Sequence, residues 1–100
     1  MSHSPISRQE ESEIPLFDSY KDAQAYFSDK YGQDFVLEST DDIGGQNCYF
    51  HALIFDHATY FKGRRLLRSG NSMSGPLALD FLKSYQSIQI FEDGNIHIVH

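Results

Sequence analysis

Four isoleucines, Ile88, Ile90, Ile96 and Ile98, stand at alternate positions on either side of Glu92-Asp93-Gly94. A three-residue loop with Gly94 in the left-handed region sets Ile90 opposite Ile96 and Ile88 opposite Ile98, so all four share one face. A two-residue Asp93-Gly94 turn would set Ile90 against His97 and scatter the apolar set. Because strand side chains alternate, a one-residue slip carries every one of them to the wrong face, and burial selects the first register. The C-terminal end therefore reads as an antiparallel hairpin with one apolar face.

The rest of the chain supplies elements to cover it. Residues 19–31 read as a helix: Asp18 or Ser19 caps it, Gly32 ends it, and Tyr20, Ala23, Phe27 and Tyr31 make one apolar stripe. Residues 35–39 alternate as a short strand. Residues 48–55, rich in aromatic and branched side chains, form the clearest strand in the chain. Between them, residues 40–47 hold two aspartates and Gly44-Gly45 and read as a long acidic loop. Asp56 caps a second helix over 57–68, with Gly63 inside it at a cost of about 1 kcal/mol against alanine. Residues 69–75 are a Ser/Gly connector. Pro76 opens a third helix that ends near Tyr85, with Leu77, Ala78, Phe81, Leu82 and Tyr85 on its apolar face. Residues 1–15 offer Ile6 and Ile14 as their only large branched apolar side chains beside Glu10, Glu11 and Glu13, and so read as a mobile acidic tail. Residues 16–100 are then a single domain of α+β class. The expected architecture is a small antiparallel sheet of about four strands, element order α-β-β-α-α-β-β, with helices packed on one face.

If Phe50, Ala52 and Ile54 join the isoleucines in the core, the second face of the sheet shows Tyr49, His51, Leu53 and Phe55, together with Gln89, Phe91, His97 and Val99. That face is more apolar than alternation against solvent produces. An exposed apolar patch marks a partner, a ligand or a dimer, unless another part of the chain covers it. Tyr49, His51, Leu53, Phe55, Phe91, His97 and Val99 are therefore the candidate partner-binding residues, and a homodimer through this face is a second use for them.

Charge divides unevenly along the chain. The net charge is −6, yet Lys62, Arg64, Arg65 and Arg68, half of the eight lysines and arginines, fall within seven positions. With aromatic residues on a neighbouring sheet, such a cluster can hold phosphates of a single-stranded nucleic acid. The acidic remainder opposes that use, so nucleic acid is not the expected partner. Asp18, Asp22, Asp29, Asp34, Asp41 and Asp42 would instead steer the chain toward a basic protein.

Catalytic signatures are sparse. There is one cysteine, Cys48, with no base beside it, and its place at the start of a strand suggests burial. The five histidines show no metal-ligand spacing, and no cofactor motif is present. His51 and His97 would form an acid–base pair of a small hydrolase or nuclease if both reached the second sheet face. No stretch is apolar enough to span a membrane, and residues 1–8 lack the apolar run of a secretory signal. These features point to a cytoplasmic protein. The function expected is that of a small, soluble, non-enzymatic regulator or inhibitor that docks on another protein, of the immunity, antitoxin or phage-inhibitor type. Binding of nucleic acid through the basic cluster and a histidine-based hydrolase are the alternatives.

Overall fold

The computed structural model describes residues 5–70 and 73–100. In chain order the elements are α1 (Arg8–Ser12), α2 (Tyr20–Tyr31), a 3-10 turn (Gly32–Asp34), β1 (Phe35–Ile43), β2 (Gln46–Ile54), α3 (His57–Arg68), α4 (Gly75–Lys83), β3 (Tyr85–Phe91) and β4 (Ile96–Ile98). The strands form one antiparallel sheet in the order β1-β2-β3-β4, with α3 and α4 inserted between the two central strands. The α+β class and the four-stranded sheet are those the sequence predicts, with the short helix α1 added in front.

The C-terminal hairpin has the predicted register, Ile88 opposite Ile98 and Ile90 opposite Ile96. Gly94 takes φ 92°, and a Cβ there would lie 2.4 Å from the Phe17 carbonyl oxygen. The left-handed turn and the close approach of the incoming chain both require glycine at this position. Helices α2 and α3 start where their capping side chains stand. Ser19 Oγ accepts from the Asp22 amide at 3.2 Å, and Asp56 Oδ1 accepts from the Thr59 amide at 3.1 Å.

Two element boundaries differ from expectation. Residues 40–47 are not a long loop. Gly44 and Gly45, both at positive φ, make a two-residue turn, and the flanking residues pair as far as Ile43 opposite Gln46. Paired glycines supply the backbone twist that a tight hairpin needs, and this outweighs the acidic, loop-like composition around them. Helix α4 stops at Lys83. The Ser84 amide and hydroxyl both donate to the Phe81 carbonyl, and Tyr85 goes into the sheet opposite Ile54.

The helices also occupy both faces of the sheet, where one was expected. On one face, Leu53, Ile88, Ile90 and Ile98 pack with Ala23 and Phe27 of α2, together with Phe35 and Ile6. On the other, Ala52 and Ile54 pack with Tyr60 of α3 and Phe81 of α4. Strand β2 is apolar at consecutive positions, Ala52-Leu53-Ile54, so it demands a covering layer on each side. Gly63 is the close point of the second layer. A Cβ there would fall 2.2 Å from Phe81 Cδ1, so the glycine lets the α4 phenyl ring lie directly on the α3 backbone.

The N-terminal segment, read from its composition as a mobile acidic tail, makes specific contacts with the domain. Residues 1–4 lie outside the described residues, as do 71 and 72 of the Ser/Gly connector. From Pro5 onward the segment touches the molecule at a few points. Ile6 is buried in the larger apolar cluster, and α1 follows with a complete capping box between Ser7 and Glu10. Ile14 and Phe17 then pack on the same cluster.

Candidate functional site

The seven residues expected on one open face fall in three places. In the β2–β3 register His51 stands opposite Ile88 and Tyr49 opposite Ile90. The odd-numbered residues of β2 are therefore on the isoleucine face, under α2, and not on the second face. The sequence could not set this parity, because both faces of β2 are apolar and either assignment buries a good set.

Leu53 is core. Tyr49 stacks on Tyr20 with ring centroids 3.6 Å apart, and its hydroxyl donates to Glu92 Oε2 at 2.7 Å. His51 is 2% exposed and lies flat on Phe35, with centroids 4.4 Å apart and planes 6° from parallel. Its Nε2 bonds the Tyr20 hydroxyl at 3.2 Å. Burial holds its pKa down to about 4, so the ring is neutral at ordinary pH. Phe91 and His97 lie on the opposite face, Phe91 paired with Cys48 and His97 with Gln89. His51 and His97 are thus separated by the sheet itself and do not converge on a common atom, as an acid–base pair must. Cys48 is buried, and burial together with Asp41 pushes its thiol pKa up, away from the reactive thiolate. Among the described residues no group of three His, Cys, Asp or Glu side chains is placed to hold a metal ion.

Phe55 and Val99 do meet. They line a groove of about 590 Å³ where β3 begins and β4 ends, with Pro5, Ile6, Leu82, Lys83, Tyr85, Gln86, Ser87 and His100 around it. The lining is mainly apolar. The outer side of α4 extends this surface: Leu82, 60% exposed, belongs to the groove, and Leu79, 56% exposed, lies one helical turn away. Only Phe81 of this helix is buried. At 100° per residue Leu79 and Leu82 turn away from the Phe81 side, and Leu77, although near that side, is still 38% exposed. A nine-residue helix carrying Leu77, Leu79, Phe81 and Leu82 holds more apolar residues than one face can bury, and that excess is the sequence signal for this site.

The basic cluster lies on α3. Arg64 reaches Glu38 at 3.5 Å, and Glu38 also accepts the Tyr60 hydroxyl. Burial and that carboxylate both push the Tyr60 pKa up. Lys62, Arg65 and Arg68 form no ion pair among the described residues. Arg64 and Arg68 border a small cleft of about 140 Å³ against Leu37 and Phe61. Among the described residues no helix is long and apolar enough to cross a membrane. Compared with protein-family models, curated proteins and solved structures, the chain matches none of them.

Proposed function

We propose that this protein works without catalysis, as a small regulatory or inhibitory protein that docks on another protein through the groove at the end of the sheet and the outer face of α4. One observation carries the reading. Leu82 stands exposed in an apolar groove with Phe55, Tyr85 and Val99, and Leu79 is exposed one helical turn away. Scattered single leucines on a surface are ordinary, but leucines contiguous with an apolar groove mark an interaction site. The net charge of −6 assists encounter with a basic partner at long range, while the contact itself is apolar.

The test is recovery of bound proteins by the tagged wild-type chain and by Leu79→Asp and Leu82→Asp, with nuclease present. A stoichiometric protein bound by the wild type and lost with either folded variant supports the reading. Binding that survives both substitutions refutes it. Material lost on nuclease treatment and on Arg65→Ala plus Arg68→Ala would assign the function to the basic cluster instead.

A further inference from the structure

The groove already holds a piece of this chain. Pro5 and Ile6 form part of its wall, and a single side chain grips the Ile6 main chain on both sides. The Ile6 amide donates to Gln86 Oε1 at 2.7 Å, and Gln86 Nε2 donates to the Ile6 carbonyl at 3.0 Å. The same Nε2 donates to the Val99 carbonyl at 3.1 Å, which fixes the amide in place. A neighbouring β-strand offers an extended residue the same pair of bonds. Gln86, itself buried, therefore acts as one rung of a ladder for a segment outside the sheet, while the Ile6 side chain joins Ile88 and Ile98 in the core.

Beyond Ile6 the hold is thin. Helix α1 buries none of its residues. The next attachments are Glu11 Oε1 to His100 Nε2 at 2.6 Å and the partly buried Ile14. Past Ile14, Leu16 is 99% exposed. The polar partners fit as well: the groove lining contains Lys83 and His100 and no Asp or Glu side chain among the described residues, and the segment brings Glu11 to His100 at that rim.

We propose that the Ile6 seat is a binding site for a segment of a partner protein, one that is extended at an isoleucine-like side chain and carries an acid some residues on, and that residues 5–14 occupy it in cis until displaced. The proposal rests on the docking function above and names the kind of segment that docks. The incoming main chain takes the two Gln86 bonds, its aliphatic side chain replaces Ile6, and its continuation runs along Phe55, Leu82 and Val99.

The probe is a synthetic peptide of residues 1–14 of this chain, added to the full-length Ile6→Asp protein, whose own segment cannot refill the seat. Fluorescence anisotropy should show saturable binding. The peptide carrying Ile6→Asp should bind about a hundredfold more weakly, and Gln86→Ala in the protein should weaken the wild-type peptide about tenfold. A folded Ile6→Asp protein that ignores the wild-type peptide overturns the proposal, as does binding indifferent to both substitutions. A concentration-dependent dimer of the wild-type chain that Ile6→Asp abolishes gives the seat to a second copy, which overturns the assignment to a partner. Should Ile6→Asp fail to fold, hydrogen exchange on the wild-type chain decides. The Ile6 amide should exchange about a hundredfold faster than those of Ile88 and Ile90, and equal protection would mean that the seat opens only with global unfolding, which overturns displacement in cis. A native partner that Leu82→Asp loses, alongside a peptide that does not bind, leaves docking standing and removes this inference alone.

Discussion

The two faces of the sheet are covered by helices of similar length and to very different effect. Under α2, eight buried residues from α2, the four strands and the N-terminal segment form one cluster, and aromatic rings of Phe17, Tyr20, Tyr26 and Tyr31 close around it. Under α3 and α4, the buried residues of the cluster among those described are Ala52, Ile54, Tyr60 and Phe81. Helix α2 turns its apolar stripe onto the sheet. Helix α4 buries Phe81 and leaves Leu79 and Leu82 in water. Apolar area removed from water stabilises by about 25 cal/mol per Å², so the α2 layer contributes more to holding the fold, while the α4 layer leaves apolar surface uncovered.

Truncating one phenylalanine in each layer should expose the contrast most sharply. Phe27→Ala should cost about 3–5 kcal/mol in a urea melt, and Phe81→Ala clearly less, because Phe81 belongs to the smaller cluster. Equal costs would mean that both layers carry the fold alike. Next in size is a pH effect confined to the α2 face. His51 takes a proton near pH 4 when folded and near 6.5 when unfolded. The unfolded chain binds that proton first, so stability present above pH 6.5 is lost as the pH falls toward 4, by up to about 3 kcal/mol. Urea midpoints measured across this window should slope for the wild type and flatten for His51→Gln.

Gly63→Ala should cost about 1–3 kcal/mol by forcing the Phe81 ring off α3, and Phe81→Leu in the same chain should recover part of it. Full stability in Gly63→Ala would show that α4 is free to shift outward. Smallest is Leu82→Asp, expected within about 0.5 kcal/mol of the wild type in stability because the side chain meets solvent. A large loss there would make Leu82 a structural residue and erase the contrast between the layers.

What the sequence made legible follows the same division. Ser19, Gly32, Asp56 and the Glu92-Asp93-Gly94 turn each act within a few residues, so α2, α3 and the terminal hairpin can be read directly. The side of the sheet that β2 presents to α2 depends on pairing with β3, which begins about thirty residues later, and Ala52-Leu53-Ile54 satisfies either choice. Of the groove lining, Phe55 and Val99 stand out in the sequence as apolar strand residues, and Phe55 is partly buried against the larger cluster. Leu79 and Leu82 were harder to see, because a helix with so many leucines reads as one that faces inward. Ile6 was hidden by averaging over a polar, acidic segment, although one side chain with one reciprocal amide partner is enough to seat it.

The Ile6–Gln86 contact also sets an order in time. Its partners are 80 positions apart, and the Glu11–His100 contact spans 89. Local helices and hairpins close quickly, whereas a contact of this span waits for everything between. On a ribosome adding about 5–20 residues per second, roughly 4–16 s separate the synthesis of Ile6 from that of Gln86. Throughout that interval the Ile6 side chain has no seat to enter, because Gln86, Ile88 and Ile98 are not yet made.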